Sequence, residues 1–380
     1  MSGLLAVYRI ELERIFKLRP AFSVLVIAVL IYSVFYPQPY RNEALRNVPI
    51  ALVDRDDTDS SRELARRLEA SSDITIAATF PDEVSAERAI FARNLFGLVV
   101  IPKYFERDLL HGRASPIALY ADASYFLVYQ RISGAVTAVA RTMGAEIETA
   151  RLIAAHVDPV IAEAAPDPLP LTAVTLFNPQ GGYATYILPA ALVLILQQTL
   201  LIGVGLLETH PNPKLEALSQ QQAGPYDRIL GKLLAYLTIE IFAASFYLIA
   251  LPYLYGIPRL GSPVAIAIFA LPFIIAVSSL GMVIARLLRN PLAVQLLTAA
   301  VGIPFLFLAG FSWPAEAIPN WLKDIALVLP STSAIFGMVG VAQLGATIAE
   351  VSQQFLTLWI LAVVYTVLAF FLEARSPASA

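Results

Sequence analysis

The chain has 380 residues, 58% of them hydrophobic and 14% charged, with a formal net charge of −3. Ordinary soluble domains carry about 25% charged residues, so a water-soluble fold of this size does not fit that balance. The charge leaves no basic footprint for nucleic acid, and the absence of cysteine removes disulfides, thiolate nucleophiles and cysteine metal sites.

The first apolar run, 20–36, ends in Tyr36-Pro37-Gln38-Pro39 with no small-residue cleavage site behind it, and reads as a retained anchor. Further runs at about 183–207, 233–254, 263–285, 291–311 and 355–372 are each close to the roughly 20 residues that span hydrocarbon. The fold class expected is therefore a polytopic α-helical membrane protein with six transmembrane helices. Six spans put both termini on one side. In short segments, Arg9, Arg14, Lys17, Arg19, Lys214, Arg228, Lys232, Arg286, Arg289 and Arg375 fall on that side, against Arg259 and Lys323 on the other. The excess predicts cytoplasmic termini.

Domain boundaries follow from composition: 1–37 is an amphipathic cytoplasmic helix and first span, 38–182 an inserted external domain, and 183–380 five further spans. The middle stretch holds 14 basic and 19 acidic residues, more than half of the charge in the chain. Its pattern predicts strands at 48–53, 74–78, 95–101 and 117–120, helices at 60–70 and 82–93, and a long returning helix at 125–156, an α/β layer. The proline-rich 158–170 reads as a linker. Asp54, Asp56, Asp57 and Asp59 lack the glycine and glutamate of a calcium loop, and read as a strand-end turn and helix cap.

Two stretches do not span. At 212–223, Asn212 is an N-cap, Pro213 takes the first helical position, Leu215 and Leu218 share a face, and Gly224-Pro225 stops the helix. At 311–330, Pro314, Pro319 and Pro330 break an apolar segment whose Trp313 and Trp321 suit a membrane interface.

Catalytic signals are missing. The nearest approach to a Walker A loop, Gly224 to Gly231-Lys232, has the wrong spacing and Leu233 where Ser or Thr belongs. His111, His156 and His210 lack partners at metal-ligand spacing, and there is no Gly-x-Ser-x-Gly elbow. No enzyme site, metal or bound cofactor is expected. What remains is polar matter at membrane depth. Glu240 is either a functional carboxyl or one satisfied by Gln197 or Gln198, and Gln197, Gln198 and Gln295 suit helix-to-helix hydrogen bonds.

These features resemble the membrane (permease) subunit of type-2 ABC exporters, in the branch with a large domain after the first span. The matches run in order: Glu11 with Arg19-Pro20; Val53-Asp54-Arg55-Asp56 with Ser60-Ser61-Arg62; Leu98 to Pro102 with Phe105, Gly112 and Asp122; Gly231-Lys232; Gly310-Phe311 with Pro314, Pro319-Asn320-Trp321 and Leu329-Pro330. The resemblance implies an exporter of the bacterial inner membrane, working as a pair with a second copy or a similar subunit, with ATP bound by a separate cytoplasmic ATPase. A periplasmic adaptor is a further partner it leaves open. It places a coupling helix at Pro213–Ser219, with Lys214, Leu215, Glu216 and Leu218 meeting the ATPase, although Pro213-Lys214 and the polar 219–222 depart from the family's pattern. On this view Leu215 and Leu218 enter a groove on the ATPase, or the helix rests on lipid. Phe311, Pro314, Pro319, Trp321 and Pro330 then line an outer gate, or anchor the chain at the interface. A different class stays open: a membrane-anchored receptor or scaffold whose external domain binds a ligand or partner.

Overall fold

The computed structural model describes residues 3–41, 44–178, 181–221, 223–310 and 313–375. It divides into two compact units, one of Met1–Glu43 with Thr175–Ala380 and one of Ala44–Val174. In chain order the elements are α1 (Gly3–Lys17), α2 (Arg19–Tyr40), β1 (Val48–Asp54), α3 (Asp59–Glu69), β2 (Ile74–Thr79), α4 (Glu83–Phe91), β3 (Gly97–Ile101), α5 (Phe105–Leu110), β4 (Ala118–Ala121), α6 (Phe126–Ala154), α7 (Pro159–Ala164), α8 (Tyr183–Thr209), α9 (Pro213–Gln221), α10 (Pro225–Leu254), α11 (Pro263–Leu288), α12 (Pro291–Leu308), α13 (Asn320–Ala326), α14 (Pro330–Ala342) and α15 (Ser352–Arg375).

The smaller unit is a sheet of order β2-β1-β3-β4, with β1 parallel to β2 and β3, and β4 antiparallel to β3. Both faces of the central strands are covered, which is why they read as unbroken apolar runs. Ile50, Leu52, Val99 and Ile101 pack toward Leu64 and Leu68 of α3 and Ile132 of α6. Ala51, Val53, Leu98 and Val100 pack toward Ala86 of α4. The four expected strands and three expected helices lie within two residues of those observed. Two short helices were not foreseen: α5, and α7 inside the expected linker.

The aspartate cluster is a turn with caps. Asp54 Oδ1 accepts from the N–H of Asp56 and Asp57, and Asp56 accepts from the N–H of Tyr104 at 2.7 Å and of Glu106 at 2.9 Å. Asp56 therefore caps α5, whose first flanking residue, Tyr104, sits at a left-handed φ of 69° with no side-chain cap of its own. Burial pushes the Asp56 carboxyl up, but the N–H groups of Glu106 and Tyr104 and the Thr58 hydroxyl outweigh it and hold it below its ordinary value.

In the larger unit, α2, α8, α10, α11 and α15 are each long and apolar enough to cross a membrane. The expected span at 291–311 corresponds to α12, an apolar helix of 18 residues with Pro304 inside it, and α13 and α14 form a pair bent by 89°. Helix α14, which the sequence reading passed over, is the more deeply buried of that pair, from Pro330 through Val341. Its run of Ser, Thr, Ala and Gly lets neighbours approach. A Cβ on Gly337 would come 2.0 Å from the ring of Phe269, itself fully buried.

Wide turns mark two helices. Ser23–Ala28 in α2 and Phe246–Ala250 in α10 wind as π-helix, the second just before Pro252, which lacks an N–H to continue the ladder. Backbone carbonyls at these turns are met from elsewhere: Tyr247 donates its hydroxyl to Val29 O at 2.5 Å, and Arg259 donates to Ile249 O at 3.1 Å.

Because the Phe269 ring has no room to retreat, Gly337→Val should lower stability by about 1–3 kcal/mol or more. Thermal unfolding in mild detergent checks this; an unchanged melting temperature would mean that α14 is not packed as described.

Candidate functional site

The short helix α9 begins as its sequence dictates: Asn212 Oδ1 accepts from the N–H of Leu215 at 3.2 Å, with Pro213 at the first helical position. Its apolar face, however, is turned inward. Leu215 is buried at 8% exposure against Val7 of α1 and Ala223, and Leu218 is partly buried against the same cluster. Leu215, and in part Leu218, is thus covered by its own chain. The outward face carries Lys214, Glu216 and Ala217, and the Lys214 ammonium reaches Glu13 at 3.5 Å. Gln222 lies outside the described residues.

Beneath α9 lies a buried ionic cluster. Glu208, at the end of α8, is 1% exposed. Its Oε2 accepts from Lys232 Nζ at 2.8 Å and Arg286 Nη2 at 3.3 Å, and its Oε1 from the Tyr236 hydroxyl at 3.0 Å. The same hydroxyl lies 3.0 Å from Glu11 Oε1. Asn212 donates to Glu11 Oε2 at 3.3 Å, and Arg14 donates to His210 O. Arg286 also pairs with Glu373, and Arg228 pairs with Glu373 at 3.2 Å. Five helices, α1, α8, α10, α11 and α15, are thus joined at one end of the bundle, where α1 and the last turns of α15 both lie.

A phenol has one proton, so Tyr236 donates to only one of its two carboxyl neighbours at a time. Burial holds the Glu11 carboxyl above its ordinary value of 4.5; Lys232 opposes this, Glu208 adds to it, and Arg14 and Tyr236 oppose it further. In the sequence, Arg14 and Arg286 serve only to orient the chain, Lys232 enters also through the Gly231-Lys232 pair, and Glu208 carries no signal. The legible signal was spacing: Lys232, Tyr236 and Glu240 recur every four residues on one face of α10.

The intramembrane polar groups part company. Gln197, fully buried, donates Nε2 to Ser331 Oγ of α14 at 3.0 Å, a helix-to-helix hydrogen bond. Gln198, one residue on, points to another side of α8, and neither of its amide atoms has a partner among the described residues. Gln295 is half-buried on α12. Glu240 is 1% exposed, its Oε1 has no partner among the described residues, and it is hydrogen-bonded to neither glutamine. Among the described residues the expectation that Gln197 or Gln198 satisfies it is therefore not met, since Gln197 is engaged by α14 and neither amide atom of Gln198 has a partner.

Along the proline-broken segment, Phe311 lies outside the described residues. Pro314 and Pro319 are exposed, Pro314 preceding a single 3₁₀ turn and Pro319 preceding α13. Trp321 is 63% exposed, whereas Pro330 is buried at the start of α14.

Long apolar helices and a bent helix pair define a multi-pass integral membrane protein. The family model described as ABC-2 family transporter protein matches residues 21–371, and the chain belongs to that family of membrane permease components. Its curated relatives include the linearmycin resistance permease protein LnrN of Bacillus subtilis, 24% identical over 372 residues, 92% of this chain and 94% of the relative. The inner membrane transport permease YhhJ of Escherichia coli is 24% identical over 352 residues, 89% of this chain and 88% of its own. The probable multidrug ABC transporter permease YbhR of Escherichia coli is 24% identical over 340 residues, 85% and 84%.

Removing one member of a buried ion pair strands the other, at a cost of about 3–5 kcal/mol. Glu208→Gln should therefore unfold the chain at a clearly lower temperature, while Glu208→Leu with Lys232→Met should recover part of the loss; additive losses in that cycle would show that the two do not interact. Glu11 predicts a pH effect of definite sign. Because its folded value is raised, its contribution is full below about 4.5 and is lost as pH rises through the folded value. Glu11→Gln should flatten that part of the melting-temperature profile in detergent, and identical profiles would count against it.

Proposed function

We propose that the chain is the permease subunit of an ATP-driven exporter, set in the inner membrane of a bacterium with both termini in the cytoplasm. A separate ATPase binds ATP and docks at α9, and two membrane subunits, identical or similar, form the translocation path. The unit of residues 44–174 then stands outside the membrane. The observation that carries this reading is the mounting of α9. It projects Lys214, Glu216 and Ala217 outward while its cap and flanking backbone bind Glu11 and Arg14 of the buried cluster. A push on that helix reaches five others through charged contacts. The excess of Lys and Arg at the same end supports its cytoplasmic placement.

In this reading the docking contacts are the polar and small outward residues of α9, with Leu215 and Leu218 holding the helix to its own chain. The broken segment from Pro314 through Pro330 forms the outer end of the path, and Pro330 starts the buried helix that would move with it. The relatives named for linearmycin resistance and multidrug transport support an apolar or amphiphilic cargo expelled from the cell.

Tagged protein drawn from its own membranes in mild detergent should bring a soluble ATPase in near one-to-one amount. Glu216→Arg with Ala217→Glu should lose that ATPase while melting like the parent. Intact protein arriving without any ATPase would instead favour a membrane-anchored receptor.

A further inference from the structure

Between α2, α8 and α12 lies a cavity of about 490 Å³, within the roughly 300–1,000 Å³ of small-molecule sites. Its wall is mostly apolar, with Val24 and Ala28 from α2, Leu194, Ile195 and Ile202 from α8, and Ala299 from α12. None of the described lining residues carries a charge. Tyr32 and Tyr36 add two phenol rings further along α2.

The cavity's polar side chains are not equivalent. Thr199 donates its hydroxyl to Ile195 O at 2.9 Å, and Thr298 donates to Val294 O at 2.8 Å, so both donors are taken by their own helices. Gln198 has both Oε1 and Nε2 shielded and without a partner among the described residues. A primary amide holds two donors and two acceptor lone pairs, and leaving them unmet beside apolar walls is unfavourable. The backbone keeps space for that amide: a Cβ on Gly302 would fall 2.9 Å from Gln198 Nε2.

We propose that this cavity holds cargo in transit, and that its cargo is an uncharged amphiphile: an apolar body bearing an amide, carbamate or hydroxyl group that hydrogen-bonds to Gln198. The proposal rests on the transport reading above. An ionic head would find no counter-charge in the wall, and a plain hydrocarbon would leave the amide unmet. Gln198 is then the residue that sets specificity, and the phenol rings accept a flat or aromatic portion of the same molecule.

The test uses the chain with its co-purified ATPase in lipid nanodiscs and two photoreactive probes: an N-dodecyl benzamide carrying a diazirine, and the matching dodecylbenzene without the amide. Irradiation followed by peptide mass spectrometry should place the amide probe on α8 near Gln198 and on α12 near Gly302. Gln198→Leu should cut that labelling about three- to tenfold, the loss of one or two neutral hydrogen bonds. Gln198→Met, closer in shape, should do the same with the melting temperature unchanged. Equal labelling of parent and both variants would overturn the proposal, as would labelling by the hydrocarbon probe as strong as by the amide, which marks a lipid crevice. In this cysteine-free chain, Ala299→Cys that oxidises to a disulfide-linked dimer and blocks labelling would show that a second copy fills the space, and would also overturn it. Purification without an ATPase would sink the transport reading separately, while the labelling comparison in the chain alone would still decide the binding site.

Discussion

The carboxylate of Glu208 is the contact on which the larger unit depends. An ion of that size loses several kcal/mol of hydration when buried, and it persists only where opposite charge and hydrogen-bond donors surround it. Lys232, Arg286 and Tyr236 supply these from two other helices. The cluster extends through Glu11 to α1 and through Arg286 and Glu373 to α15. In a membrane the hydrophobic effect does little to bring helices together, so such contacts, together with close approach at small residues, determine which helices are neighbours. Glu208 lies five residues before the start of α9, which is consequently mounted on the most strongly cross-linked part of the bundle.

The smaller unit obeys different rules. Its central strands are buried on both sides by helices, with charges placed mainly at turns, caps and exposed helix faces. The acidic run after β1 illustrates this. What looks like a ligand set is a local scaffold in which Asp54 shapes the turn and Asp56 reaches across 48 residues of sequence to the N–H of Tyr104. Carboxylates that accept several backbone N–H bonds are held in place by those bonds.

Within the membrane-spanning part, neighbouring residues of the same type behave differently because a helix turns by about 100° per residue. Gln197 faces α14 and is tied to Ser331; Gln198 faces the cavity beside α2 and α12 and has no partner among the described residues. The first is explained by cohesion between helices. The second is not, and it is the kind of group a ligand completes. Glu240 belongs with the second in having an oxygen unmet, but it is enclosed by packing and lines neither the cavity beside Gln198 nor the apolar one between α10 and α11.

Much was legible from the residues alone. Hydrophobic runs gave the long spans, alternation and turn residues gave the strands of the smaller unit, and Asn212-Pro213 gave the start of α9, because each is encoded within a few consecutive residues. Three matters were decided only by tertiary structure. Helix α14 was hidden because its Ser, Thr and Gly residues favour close packing without producing a long apolar run. The inward turn of Leu215 was hidden because amphipathicity marks an apolar face without saying whether the chain itself or a partner covers it. The cluster around Glu208 was hidden because its members stand far apart, from Glu11 to Glu373, and single charges near helix ends read alike whether solvated or buried. Local patterns determined the elements; which polar groups are joined and which are left open was decided by contacts between residues distant in sequence, which no local window contains.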